Sequence, residues 1–365
     1  MACRPTLPRS IVFLALSTCL SPAFAVELGE HFTLSGFGTL AALRTDTDDA
    51  RYIRESQNRG AGDALNFATD SNFGLQLTGK ANDWLSATVQ TVTKRRSDAY
   101  NATQVDWAFV KVQPIANLSV RAGLTTLPTF AISDSRSIGY ANPWIHAPNE
   151  VYGIAFVDRL TGVDASYAHD LGGGTVKLTV LAGSSQFTFE TGGVIYKQDM
   201  KRLRGASLQW ENDWLSLRAG RVQGRPQLPA FFGADNEVFT FDGFGAVLNH
   251  SNVLLQAEYV MRRSDKLPAL IDADAWYVLG GYRIGDFQPF VSYAKLDPAD
   301  GAAPSNGRQT TTSLGLRWDF HRSFALKGQW DMVDTHGTPG VSFNDIRPGF
   351  DGKVNVFALA LDFVF

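Results

Sequence analysis

The sequence predicts an all-β chain closed into a transmembrane antiparallel β-barrel of about sixteen strands, and three observations carry that prediction. Apolar and polar residues alternate along nearly the whole chain, its connections are by turns very short and long, and aromatic residues gather beside the short ones. A barrel strand hides only every second residue from water, so no long apolar run is needed and a mean hydropathy near zero is compatible with membrane insertion.

The first segment has a different character. Arg4 and Arg9 precede the apolar run 11–16, and Ala23-Phe24-Ala25 supplies the small-x-small pattern of a cleavage site, so residues 1–25 read as a signal peptide and 26–365 as a single barrel domain. Cys3 and Cys19 leave with the peptide, and the exported chain then has no thiol for a disulfide. Nothing beyond it approaches the roughly 18 apolar residues of a spanning helix. A formal net charge of −3 gives no basic footprint, so no nucleic-acid partner is expected.

Alternation is clearest where Leu85, Ala87 and Val89 oppose Ser86, Thr88 and Gln90. It recurs where Leu118, Val120, Ala122 and Leu124 oppose Ser119, Arg121, Gly123 and Thr125, and where Leu215, Leu217 and Ala219 oppose Ser216, Arg218 and Gly220. The last run sets Phe357, Leu359, Leu361, Phe363 and Phe365 against Val356, Ala358, Ala360 and Asp362. Short turns fall at 82–83, 114–116, 171–174, 211–213, 249–252, 285–286 and 321–322. Longer polar segments fall at 46–71, 96–102, 126–156, 188–202, 224–237, 265–272, 298–308 and 335–351. That rhythm is expected of a Gram-negative outer-membrane barrel with its turns in the periplasm and its loops outside. Trp84, Trp210, Trp214 and Trp318 adjoin the short turns, as do Phe287, Phe320 and Phe324; with Phe365 they are candidates for an aromatic girdle at the membrane interface.

Parity then assigns the lumen. Basic residues Arg121, Lys177, Arg218, Arg283, Arg317 and Lys327 face inward, as do the acids Asp164, Glu258, Asp331 and Asp362. Arg121 and Arg218 occupy near-identical segments climbing from short turns, which puts them at one height. With Arg317 they form a basic strip that attracts anions, or else each pairs with a neighbouring acid on the wall. Two places stay open: apolar residues fall on both faces around 238–250, and Lys111 shares the parity of Trp107 and Phe109.

A terminal strand ending in Phe365, an opening strand containing Gly36-Phe37-Gly38 and the order of sixteen strands resemble the Gram-negative porins. The resemblance implies a water-filled channel for passive diffusion of ions and small hydrophilic solutes, a homotrimer, contact with outer-membrane lipid, and recognition of the C-terminal strand by the barrel-assembly machinery. It also implies a third external loop folded inward, and 126–156 is the longest of the predicted loops. Its residues depart from the Pro-Glu-Phe-Gly type of the best-known general porins, so their charge arrangement does not transfer. The candidates for the constriction are Asp134, Arg136, His146, Glu150 and Asp158, which either set up a transverse field against the wall or tie the loop to it. Tyr140, Trp144 and Tyr152 are expected mainly to stiffen the loop. Charged residues assigned to the outer loops, Arg51, Arg54, Glu55, Asp63, Arg95, Arg96 and Asp98, are candidates for binding lipopolysaccharide phosphates.

Enzymatic signals are weak. Gly36-Phe37-Gly38 and Gly243-Phe244-Gly245 lack the third glycine and following helix of a dinucleotide site. The six histidines show no metal-ligand spacing, and Asn249-His250-Ser251 cannot converge as a catalytic set from three consecutive positions. No cofactor, metal or catalysis is expected. The alternatives to a general pore are a solute-specific channel for anions or carboxylates and, from another class, a non-conducting barrel acting as receptor, adhesin or enzyme.

Overall fold

Each alternating run forms a strand and pairs with its sequence neighbour in antiparallel register. The computed structural model describes residues 25–365 apart from 55–56, 58, 97–98, 192–193, 235 and 301–306. The predicted signal peptide, apart from Ala25, lies outside the described residues, as do Glu55 and Asp98. The wall runs through Phe32–Thr45, Asn72–Asn82, Leu85–Arg96, Ala99–Ile115, Leu118–Thr126, Arg159–Leu171, Gly174–Thr191 and Val194–Glu211. It continues through Leu215–Pro226, Phe239–His250, Val253–Ser264, Ala273–Tyr282, Phe287–Pro298, Gln309–His321, Phe324–Asp334 and Lys353–Val364. The last strand pairs with the first, Val364 opposite Phe37 through Val356 opposite Thr45, and so closes a 16-strand antiparallel barrel. Closure leaves no free sheet edge, which is the condition for strands to cross a membrane.

The Gly36-Phe37-Gly38 motif has a packing role at that seam. Phe365 and Gly36 exchange backbone hydrogen bonds of 2.9 and 2.8 Å. A Cβ on Gly36 would run into the Phe365 ring, and one on Gly38 into the Phe363 ring. The girdle residues sit where the short turns place them. Trp84, Trp214 and Trp318 are exposed on the outer surface, and Phe287 stacks on Trp318 at 5.7 Å, which in turn meets Phe320. Trp210 donates its indole N–H to the Leu171 carbonyl across a neighbouring turn.

The seven short turns fall at the predicted places, between paired strand ends. Two of the long segments, 96–102 and 188–202, are corrected. The strands run on through them as far as Arg96 and Ala99, and Thr191 and Val194, with pairs such as Lys94 opposite Ala102 and Lys197 opposite Thr188. Above the membrane both faces of a strand meet water, so polarity on both faces there does not mark a loop. Two short strand pairings were not foreseen. Val26–Leu28 folds back on Leu34–Phe32, and Arg51–Tyr52 pairs with Phe343–Asn344 to tie the first external segment to the last.

The strand left ambiguous at 238–250 is resolved by what lies inside the barrel. Phe239 and Phe241 face inward and Phe244 outward. Phe241 belongs to a buried cluster in which Phe130, Trp144, Val151 and Tyr152 of the third external loop pack against Val260, Tyr277, Leu279 and Leu296 of the wall. Apolar residues on the lumen parity are therefore the seat of an inward loop, and an interior built from dispersed chain segments is dry where they meet.

Candidate pore and its constriction

The loop between Thr126 and Arg159 is bound to one arc of the wall through its own carbonyls. Lys327 Nζ donates to the carbonyls of Gly139 and Asn142 at 2.7 Å each and of Trp144 at 3.0 Å, and pairs with Asp362 at 2.6 Å. Arg317 donates to the carbonyls of Tyr140 and Asn142, stacks over the Tyr140 ring and pairs with Asp319. An irregular loop leaves its carbonyls unsatisfied, and cations from the wall supply the missing donors. Gln329 Oε1 accepts from the Ile145 N–H, and Glu258 accepts from the Ala131 N–H and from the hydroxyls of Tyr152 and Tyr277. His146 is clamped between Asp331 on the wall and Asp70 of the first external segment. Glu150, in the short helix Asn149–Tyr152, accepts from Gln309 Nε2 at 2.8 Å and from the Thr311 hydroxyl. Burial holds its carboxyl above the usual range, and those two hydrogen bonds oppose that shift.

Several expectations about water-facing charge are thereby corrected. Glu258, Asp331, Asp362, Arg317 and Lys327 do face inward, but all are buried under the loop, with Lys327 and Asp362 at 1% side-chain exposure. His146 and Glu150 are also loop anchors, at 5% and 1% exposure, although the His146 edge reaches the cavity described next. Arg121, Arg218 and Arg317 do not act as one strip. Arg121 pairs with Asp164 at 2.9 Å and lies over Phe109, Arg218 lies near Asp134, Glu211 and Glu258, and Arg317 holds the loop. Arg283 pairs with Asp319 at 2.9 Å close to the short turn 283–286, where Ile284 and Phe287 form a bridge.

Across the lumen from this arc the loop stands away from the wall. The space between is a cavity of about 540 Å³ lined by Arg54, Lys94, Arg95, Arg96, Arg136, Arg159 and Lys197, with Asp70 and Asp158 the acids among its described lining residues. These cations are held in place by partners around the rim. Arg54 pairs with Asp70 and bonds Asn149, Arg96 pairs with Asp106, and Arg159 reaches Asp106 and Asp158. Arg136 lies over the rings of Phe130 and Tyr152 and donates to the Tyr152 carbonyl. Arg54, Arg95 and Arg96, assigned from the sequence to lipopolysaccharide, therefore turn into the lumen. A narrower space of about 40 Å³ continues beside Asp134, Arg136, Asp158 and Arg159 against Gln90, Trp107 and Thr126 of the wall. Three of the five constriction candidates, Asp134, Arg136 and Asp158, meet there.

Below it the wall is again basic. Lys111, whose facing was left open, lies directly opposite Arg121 and so faces the lumen. Lys80, Arg121 and Lys177 all lie within electrostatic reach of it. Sequence parity left Lys111 open because it shares a face with Trp107 and Phe109; the register, which sets it opposite Ser86 and Arg121, decides its facing.

No protein-family model matches the chain, and no curated protein matches it. Solved structures do. The chain is similar to OmpF of Salmonella typhi, solved in complex with daunomycin, at TM-score 0.62 and 15% identity over 92% of this chain and 97% of that one. It is also similar to the outer-membrane channel DcaP of Acinetobacter baumannii, at 0.60 and 15% over 93% and 99%. A third is the anion-selective porin from Comamonas acidovorans, at 0.58 and 15% over 92% and 100%. The protein has the fold of the Gram-negative porins, and similarity at this level of identity establishes the fold.

Proposed function

We propose that this protein is an outer-membrane channel for passive diffusion of small hydrophilic solutes, and that its passage favours anions. One observation carries the preference. The acids on the lumen parity are buried beneath the third loop or paired, whereas the cavity the loop leaves open is lined by seven cations against two acids. Basic groups on the low-dielectric wall of a narrow passage raise the local anion concentration, and their hydrogen-bonded partners keep them aimed at it. The porin fold and the Comamonas porin's anion selectivity support the same reading. The leader 1–25 would deliver the chain for export, and assembly as a homotrimer belongs to the same proposal.

The test is single-channel conductance of the purified protein in a planar bilayer, with the reversal potential taken under a potassium chloride gradient. Discrete open steps with a reversal potential on the chloride side are expected. Steps reversing on the potassium side would overturn the anion preference. A silent bilayer, with folded and inserted protein demonstrated, would overturn the channel itself.

A further inference from the structure

Within the membrane the closed barrel has no free edge, but above it strands of unequal length expose two. The strand Ala99–Ile115 leaves its partner Leu118–Thr126 above the pair Ala108 and Leu124, and continues through 101–107 with Leu85–Arg96 as its one ladder partner. The strand Gly174–Thr191 likewise leaves Arg159–Leu171 above the pair Ser184 and Thr161, and continues with Val194–Glu211 alone in its ladder. The two strands between them stop because the third loop departs from the wall there. Leu127 donates to the Asp158 carbonyl at 2.9 Å, and the chain then enters the lumen, where Phe130 and Tyr152 are buried.

The result is a notch in the upper wall. Three interstrand spacings of about 4.8 Å set its sides about 14 Å apart, room for one added strand and its side chains. Gln104 and Val105 of one side, Gln186 and Thr188 of the other, and Val157 and Arg159 of the floor all line the cavity of about 540 Å³, so that cavity extends into the notch. On the 101–107 side Asn101, Thr103 and Val105 are exposed. A strand with one ladder partner turns alternate N–H and C=O groups away from it, and this side therefore presents backbone donors and acceptors to the notch. Arg159 already answers one of them, donating to the Val105 carbonyl at 3.4 Å.

Charge selects the occupant. Arg95, Arg159 and Lys197 reach the cavity from the two sides and the floor, while Asp106 beside them is engaged by Arg96 and Arg159. We infer that the notch is a docking site for an extended acidic peptide, which adds as a strand to 101–107 and sets its carboxylates against Arg95, Arg159 and Lys197. Main-chain hydrogen bonds to the edge supply affinity, and the cations supply the preference for acidic side chains. The inference rests on the unequal strands and goes beyond conduction, since a closed barrel would offer the same edge.

Fluorescence anisotropy of the full chain in detergent tests it, with a labelled eight-residue peptide alternating aspartate and valine as the probe. Three comparisons separate edge from charge: the same peptide methylated at alternate backbone nitrogens, the peptide with lysine for aspartate, and butanetetracarboxylate as a competitor with charge but no backbone. The aspartate peptide should bind, methylation of one set of alternate nitrogens should weaken it at least tenfold, and the lysine peptide should not bind. Arg95→Gln/Lys197→Gln should weaken the aspartate peptide about tenfold, the loss expected for charge-assisted contacts. Photocrosslinks from a benzophenone within the peptide should map to 101–107. Equal binding of both methylated peptides, displacement by an equal concentration of the tetracarboxylate, or crosslinks confined to other segments would overturn the site. So would dissociation of assembled copies by the peptide, since the notch would then be an interface between copies of this chain. A silent bilayer with peptide binding intact would count against the channel and leave the notch standing.

Discussion

The two arcs of the inner wall carry similar numbers of charges and use them differently. Under the third loop, Lys327, Arg317, Asp362, Asp331 and Glu258 are dry, paired with one another or with loop carbonyls. Across the lumen Lys94, Arg95, Arg96, Arg159 and Lys197 line open space. Inward orientation is therefore necessary for a charge to act on a permeating solute but does not suffice. The loop decides which charges meet water, and by covering most of the acids it biases the remainder toward cations.

The sharpest way to break that contrast is Lys327→Ala. It removes three donors to loop carbonyls and strands Asp362, and breaking a buried ion pair in this way costs about 3–5 kcal/mol. Urea unfolding in detergent should register that loss, and bilayer recordings should show larger, noisier steps as the loop leaves the wall. Unchanged stability would mean that the loop is held by its apolar contacts with Phe241, Val260 and Tyr277 instead.

On the open arc the expectation reverses. Lys94→Gln combined with Lys111→Gln should leave stability within about 0.5 kcal/mol, as for substitutions at water-facing positions. The reversal potential should move several-fold in permeability ratio toward cations. A change in stability without a change in ion preference would place these lysines with the structural charges.

The smallest effect concerns Glu150, at the seat of the loop. Its folded carboxyl lies above the ordinary value of 4.5 because of burial. A carboxyl raised by folding contributes stability that is complete below 4.5 and is lost as pH rises through its higher folded value. Unfolding measured from pH 4 upward should therefore show stability falling across that window in the native protein, and the slope should flatten in Glu150→Gln. The glutamine keeps an acceptor for Gln309 and Thr311, so a loss of folding in that variant would show that the negative charge itself is required.

Much of the barrel was legible because its rules are local. Side chains alternate at every residue, and glycine, asparagine and aspartate at 82–83, 172–173 and 212–213 turn the chain wherever a strand must reverse. Trp84, Trp214 and Trp318 could be placed beside those turns for the same reason. Where the reading failed, distant segments decided. Phe239 and Phe241 look misplaced until Phe130 arrives from the third loop, and Arg54 looks solvated until Asn149 and Asp70 draw it inward. Of the five loop residues proposed for the constriction, Asp134, Arg136 and Asp158 meet beside the narrow space, while His146 and Glu150 anchor the loop to distant segments.

By itself the sequence determined the number and order of the strands, the faces of those that alternate cleanly and the end of the barrel at which the connections are short, because each depends on neighbours within a few positions. Only the tertiary structure decided which inward charges are pore and which are foundation. The hydrogen bond from Lys327 to Trp144 joins residues 183 positions apart, and that between Arg317 and Tyr140 joins residues 177 apart. No periodicity encodes such a contact. It forms because carbonyls of an irregular loop, enclosed in the barrel, must find donors, and the wall arc holding Lys327 and Arg317 supplies them.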